Sequence, residues 1–142
     1  MSPAMNEQLL PVEDSEFVYR RIHRSFYDPS LSVPIQLAAF RPNERDTTGL
    51  SVFRARFVQP GETLSSIAEA KRNDYLVVRI AVRDLIRLGL SVVPEPAPDG
   101  PAGHAIIPEL RWDAYQTDKQ RLKEILLELA TLASREIVHR PT

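Results

Sequence analysis

The segment at residues 75–82 reads Tyr-Leu-Val-Val-Arg-Ile-Ala-Val and is almost continuously apolar and rich in β-branched side chains. Such a run is typical of a β-strand covered on both faces, since a strand with one solvent face alternates apolar and polar residues. We therefore expect a central strand here. At 142 residues, with 43% apolar and 26% charged side chains, the chain has the size and composition of one packed domain.

A second predicted strand shows the alternating pattern. Within residues 50–57, Phe53 and Phe57 alternate with Arg54 and Arg56. A period of two places the aromatic side chains on one face and the guanidinium groups on the other. We expect a half-buried strand whose arginines face solvent.

The densest Pro/Gly cluster occupies residues 94–103, between short apolar runs at 90–93 and 104–107. Proline supplies no amide donor and fixes φ, so this cluster predicts an extended surface loop. We interpret the two apolar runs as strands of one sheet that the loop joins.

Two segments predict helices. Residues 82–89 indicate a short helix that ends at Gly89 in a left-handed C-cap. Residues 117–138 carry apolar side chains at helical spacing, and Thr117 with Gln120 fits a capping box at their start. We expect this long amphipathic helix to lie across the sheet.

Together these elements predict an α+β fold, because strands come first, helices are interleaved and one helix comes last. We expect a single domain over residues 1–142, with a mixed or antiparallel sheet and one long C-terminal helix. Residues 1–14 are a candidate flexible tail.

Composition excludes several classes of function. The 18 Lys and Arg against 19 Asp and Glu leave a net charge of 18 − 19 = −1, which argues against charge-driven binding to nucleic acid or membranes. The absence of cysteine excludes disulfides, thiolate zinc sites and thiol nucleophiles. The three histidines lack metal-ligand spacing, so we expect no metal site.

The N-terminal residues lack the basic start and apolar run of a secretory signal. No segment approaches the roughly 20 apolar residues of a membrane-spanning helix. We therefore expect a cytoplasmic protein of a bacterium.

Residues 57–68, Phe-Val-Gln-Pro-Gly-Glu-Thr-Leu-Ser-Ser-Ile-Ala, resemble the opening of a LysM glycan-binding repeat. Pro60 and Gly61 would form the turn, and Thr63 would cap the helix that follows. The resemblance implies a glycan-binding module.

A longer pattern resembles a set of small bacterial proteins without an assigned activity. It comprises Tyr19-Arg20-Arg21, Ala39-Phe40, Leu50-Ser51-Val52, Leu88-Gly89-Leu90 and His104-Ala105. A serine that is usual shortly before the Ala-Phe pair is replaced here by Gln36-Leu37-Ala38. The resemblance supports one compact domain and implies no particular activity.

The same order of residues loosely resembles ADP-ribosyltransferase-like folds, including the RES-type toxins that consume NAD. The resemblance implies that Arg20 or Arg21 would hold the NAD diphosphate and Ser51 would lie near the nicotinamide ribose. Glu109 would stabilise the developing oxocarbenium ion. His104 begins a predicted strand after the Pro/Gly loop and is a candidate for a cleft. NAD is the only cofactor this alternative calls for.

Since no catalytic constellation is complete, we favour a non-enzymatic protein without a cofactor, which binds another protein, in a defence or toxin system. The NAD-dependent enzyme and the glycan-binding module stay open as alternatives. The predicted binding residues are Tyr19, Arg54, Arg56, Pro94, Pro96 and Pro98.

Overall fold

The structure, a computed structural model, describes residues 3–141. Its six strands are β1 (Phe17–His23), β2 (Leu50–Arg54), β3 (Tyr75–Ala81), β4 (Val93–Pro94), β5 (His104–Ile107) and β6 (Ile137–His139). They form one sheet in the order β4-β5-β2-β1-β3-β6, and each neighbouring pair is antiparallel. The predicted strand at 75–82 is confirmed as β3, which lies between β1 and the short edge strand β6.

The four α-helices are α1 (Met5–Gln8), α2 (Val82–Arg87), α3 (Trp112–Thr117) and α4 (Lys119–Arg135). Short 3-10 helices occupy Arg24–Phe26, Leu37–Phe40, Pro60–Ser66, Glu69–Asp74 and Pro108–Leu110. The α+β class and the long C-terminal helix are therefore confirmed. Within residues 3–141, none of the helices combines the length and the apolar character needed to cross a membrane.

The core lies on both faces of the sheet. On the first face, α4 packs on β3 and on the 3-10 helix at Leu37–Phe40. It buries Leu122, Leu126, Leu129, Ala130 and Ala133 there. The second face carries a smaller cluster of Tyr19, Phe53, Val58, Leu64 and Val77, next to the 3-10 helix at Pro60–Ser66. Coverage on both sides explains why β3 is apolar at consecutive positions.

The C-terminal region differs from the prediction in its boundaries. The expected helix over 117–138 is interrupted at Asp118, and Thr117 ends α3 instead of capping α4. The hydroxyl of Thr117 donates to the carbonyl of Ala114 at 3.0 Å, a bond within the preceding turn. The chain leaves the helix at Glu136 and forms β6, because pairing satisfies the backbone groups of the outer edge of β3.

The turn after α2 confirms the predicted cap at Gly89. Its φ is +81°, its amide donates to Ile86 at 2.9 Å, and the amide of Leu90 donates to Leu85 at 2.9 Å. These two bonds are those of a Schellman motif. Because Leu90 still completes the cap, the strand predicted from residue 90 begins only at Val93.

The segment that resembles a LysM opening forms a 3-10 helix at Pro60–Ser66. The predicted cap at Thr63 is wrong, because its hydroxyl donates back to the carbonyl of Pro60 at 2.7 Å. Gln59 occupies the N-cap position instead, and its backbone amide donates to the carboxylate of Glu62 at 2.8 Å.

Candidate functional site

Ser51 and His104 are brought together by the pairing of β2 with β5. Their side chains meet on the second face, with 3.0 Å between Ser51 Oγ and His104 Nε2. His104 Nδ1 lies 2.7 Å from the carbonyl oxygen of Glu95. A carbonyl only accepts, so Nδ1 is the donor in this contact. The pair fastens the end of the Pro/Gly loop to the sheet.

Arg20 points to the first face and donates hydrogen bonds to backbone carbonyls. Its guanidinium donates to Ala39 at 2.8 and 3.2 Å and to Ser51 at 2.9 Å. β1 pairs with β2 only at Val18 and Tyr19, so Arg20 satisfies carbonyls beyond the point where the paired register ends. Burial lowers the pKa of Arg20 to about 10, which leaves it charged at neutral pH. These three hydrogen bonds join Arg20 to β2 and to the 3-10 helix at Leu37–Phe40.

Arg21 points to the opposite face and joins β1 to the 3-10 helix at Pro60–Ser66. Its guanidinium donates to the carbonyl of Thr63 at 3.0 Å and to the hydroxyl of Ser66 at 2.8 Å. It also lies over the ring of Phe53, 4.9 Å from the centroid. Burial lowers the pKa of Arg21. These contacts give Arg21 a role in fastening this helix to the sheet.

Glu109 is engaged with another segment. Its carboxylate accepts from the amide of Ser91 at 2.8 Å and from the Ser91 hydroxyl at 2.7 Å. Among the candidate catalytic residues Arg20, Arg21, Ser51, His104 and Glu109, only Ser51 and His104 therefore join their side chains directly. Arg20 reaches Ser51 solely through a backbone carbonyl.

Arg54 departs most from expectation, because the predicted solvent-facing arginine is completely buried. Its five donor positions are all used. Two bind the carboxylate of Glu16 at 2.8 and 2.9 Å, and the others bind the carbonyls of Gln8, Leu10 and Pro11. The predicted half-buried strand with solvent-facing arginines is wrong here, because β2 ends at Arg54 and is buried at four of its five positions. The ring of Phe57, which the alternation places on the opposite face, lies 5.0 Å from the Arg54 guanidinium.

We call residues 3–16 the N-terminal arm. The arm is tied to the Pro/Gly loop as well as to Arg54, because Gln8 Oε1 accepts from the amide of Gly103 at 2.9 Å. The carbonyl of Gly103 in turn accepts from the amide of Arg54 at 2.8 Å. The candidate flexible tail is therefore hydrogen-bonded in place over residues 8–11, whereas residues 1 and 2 lie outside the described residues.

The arm has an inverted polarity. Gln8 is buried, whereas Met5, Leu9 and Leu10 are 41, 57 and 47% exposed. Exposing large apolar side chains forgoes about 1.5–3 kcal/mol each relative to full burial. The arm thus exposes three large apolar side chains to solvent, and we call Met5, Leu9 and Leu10 the apolar patch.

A cleft of about 510 Å³ reaches the arm at Pro3. Its apolar lining includes Phe57, Val58, Pro101 and Ala102, with Pro3 of the arm at one side. Glu62 and Ser65 supply polar groups from the 3-10 helix. The cleft therefore lies between the arm, that helix and the end of the Pro/Gly loop.

The other predicted binding residues differ in their exposure to solvent. Arg56 is exposed, and its guanidinium lies 4.8 Å from the ring centroid of Phe57 at the cleft. Pro98 is exposed on the loop, and Pro94 and Pro96 are half-buried. Tyr19 is buried in the cluster on the second face and, like Arg54, is closed to a partner.

Acidic residues are unevenly distributed along the sequence. Residues 1–16 and 94–103 together contain six Asp or Glu and no Lys or Arg. The remaining residues then carry 18 − 13 = +5, which with −6 gives the net charge of −1.

Within the described range 3–141, no group of three or more acidic or histidine side chains has the arrangement of a metal site. Comparison with protein families, curated proteins and solved structures finds no match for the chain. The resemblances read from the sequence therefore stay predictions.

Proposed function

We propose that this chain is a protein-binding adaptor of the bacterial cytoplasm, which works without a cofactor and uses its N-terminal arm as the contact surface. The observation that carries the proposal is the inverted polarity of the arm, with Gln8 inside and Met5, Leu9 and Leu10 outside. A short segment that served only the stability of the isolated chain would bury its leucines and expose its glutamine.

The anchoring of the arm supports the same function. Arg54 donates to three carbonyls of the arm backbone, and the side chain of the buried Gln8 binds the Pro/Gly loop. A patch held in one conformation loses little conformational entropy when a partner binds, so more of its contact energy appears as affinity. The arm therefore has the rigidity of a preformed recognition surface.

The test compares the full chain with two variants, each carrying a C-terminal affinity tag and produced in its native cell. One variant is Leu9→Asp with Leu10→Asp in the arm. The matched control is Leu127→Asp, at a leucine of α4 that is 54% exposed. Proteins recovered with the unaltered chain are purified, and their affinities for the three chains are measured directly.

We expect a purified partner to bind the arm variant with an affinity about 30-fold lower. This corresponds to a loss of roughly 2 kcal/mol in binding free energy, which is typical of a central apolar contact. The Leu127→Asp control should bind as the unaltered chain does. Equal binding by the arm variant, or loss of binding only in the control, would refute the proposal.

A further inference from the structure

Prolines occupy alternate positions along the outer edge of the sheet at β4. This strand is the last on its side of the sheet, so within residues 3–141 no strand pairs with its outer side. Pro94 lies in β4, and Pro96 follows two positions later. Successive residues of an antiparallel strand direct their backbone groups to opposite edges, so residues two apart share one edge.

The hydrogen bonds to β5 show which edge the prolines share. The register pairs Pro94 with Ala105. The amide of Glu95 donates to the carbonyl of His104 at 2.9 Å, so the backbone of Glu95 is directed inwards, towards β5. The position before it is therefore directed outwards, and the same alternation places Pro96 on the outer edge with Pro94.

The outer edge consequently offers acceptors without donors. From Val93 to Pro96 the only amides are those of Val93 and Glu95, and alternation directs both towards β5. Proline has no amide hydrogen, so Pro94 and Pro96 present only carbonyl oxygens to the outside. A strand that joined this edge would find no donors there for its own carbonyls, and a strand pair needs donors and acceptors from both partners.

The surroundings of this edge favour strand pairing in other respects. Residues 90–93 read Leu-Ser-Val-Val, a composition typical of strands, and Val93 is 43% exposed. An exposed strand edge is a template for pairing with another chain, and proline on the edge prevents such pairing. At Pro94 the missing amide removes no hydrogen bond to β5, because that position faces outwards.

We propose that Pro94 and Pro96 close this edge of the sheet to strand addition by a second copy of this chain. Without these prolines, two copies of β4 could pair antiparallel about a two-fold axis, because the same edge would meet itself. This role is independent of the proposed adaptor function, whose contact surface is the N-terminal arm.

The test replaces prolines with threonine, which restores the amide and favours strands. The edge variant is Pro94→Thr with Pro96→Thr. The matched control is Pro29→Thr with Pro98→Thr, which removes the same number of prolines. Both control prolines are exposed and occupy the second position of a hydrogen-bonded four-residue turn, away from the outer edge of β4.

Sedimentation velocity over a range of protein concentrations measures self-association of the full chain and of the two variants, and circular dichroism checks that each is folded. We expect the edge variant to self-associate at least about tenfold more tightly than the other two proteins, the effect of roughly one net backbone hydrogen bond. Amide hydrogen exchange at low and high concentration then locates the contact. Residues 92–96 of the edge variant should become protected as the concentration rises.

Equal self-association of all three proteins would overturn the proposal. Association of the edge variant that leaves residues 92–96 unprotected would also overturn it, because the contact would then lie elsewhere. If the edge variant does not fold, Pro96→Thr alone, which leaves β4 unaltered, is compared with Pro98→Thr. Stronger association of Pro96→Thr with protection of residues 92–96 is the expected result, and equal association of these two single variants would contradict it.

Discussion

Arg54 and Glu16 face each other through two parallel hydrogen bonds, Nε to Oε1 at 2.9 Å and Nη2 to Oε2 at 2.8 Å, with both side chains shielded from water. The guanidinium and the carboxylate are 38 positions apart in the chain. Their pairing brings the end of the arm onto β2 and leaves the remaining donors of Arg54 free to bind the arm backbone. The position of the proposed binding surface depends on this ion pair.

Removing the arginine should therefore destabilise the whole protein. Arg54→Met leaves the Glu16 carboxylate and three backbone carbonyls without their donor, and breaking a buried pair in this way costs about 3–5 kcal/mol. Urea unfolding at neutral pH measures the free energy of unfolding. Arg56→Met is the control, because that guanidinium is exposed and 4.0 Å from Glu16, and it should cost less than about 1 kcal/mol. Equal losses in the two variants would contradict the assigned role of Arg54.

Low pH should remove the contribution of the Glu16 carboxylate to the stability of the folded protein. Burial raises its pKa, but the hydrogen bonds from Arg54 and from the amide of Glu13, with the charges of Arg54 and Arg56, outweigh that effect and hold the pKa below its ordinary value of 4.5. A depressed pKa in the folded state adds stability above the unfolded pKa, and this stability is lost as the pH falls through the folded pKa.

Unfolding free energies of the unaltered chain and of Glu16→Gln, measured from pH 7 downwards, test this point. The advantage of the unaltered chain should be fully present above pH 4.5 and should shrink progressively below it. A difference between the two proteins that stays constant across this range would show that the charge of Glu16 contributes nothing.

Two glycines with almost the same φ should respond differently to substitution by alanine. Gly89 and Gly103 have φ of +81° and +82°, and no described atom lies within 4 Å of a Cβ built at Gly89. A Cβ at Gly103 would lie 2.9 Å from the carbonyl oxygen of Arg54 and 3.1 Å from Cβ of Phe57. The left-handed conformation alone costs an alanine about 1–2 kcal/mol.

We expect Gly89→Ala to lower the free energy of unfolding by that amount. Gly103→Ala should lower it by at least about 1 kcal/mol more, because in that variant the loop must move away from β2. Thermal or urea unfolding of both variants measures the difference. Losses of the same size would mean that the loop is not held against Arg54 as described.

The Ser51–His104 hydrogen bond should be visible as a coupling energy. Ser51→Ala, His104→Ala and the double variant form a cycle, and a net side-chain hydrogen bond contributes about 0.5–1.5 kcal/mol. Additive losses in unfolding free energy, with no coupling, would place the two side chains apart in solution.

The sequence predicted those parts of the fold that depend on local pattern. The apolar run of β3 indicated coverage on both faces, and Gly89 indicated a helix end through its freedom to adopt positive φ. Arg54 could not be placed in the same way, because alternation shows which face a side chain occupies but not which distant segment covers that face. Gln8 and Leu10, two of the arm residues that bind it, lie more than 40 positions earlier in the chain.

The candidate site shows the same limit. The sequence placed His104 at the start of a strand, and the Pro/Gly loop was expected to join two strands, which β4 and β5 confirm. It did not predict that Ser51 and His104 would meet, since the β2–β5 register depends on packing across the sheet. It also missed the inverted arm, because four residues of helix are too few to show a periodicity.

The most direct test of the account is hydroxyl-radical footprinting of the full chain, free and bound to a purified partner. Met5, Leu9 and Leu10 report on the arm, and Ile86 and Leu127, which are similarly exposed on α2 and α4, serve as internal references. We predict that the partner protects the three arm residues and leaves Ile86 and Leu127 at their free reactivity. Protection of Ile86 and Leu127 with an unprotected arm would contradict the account.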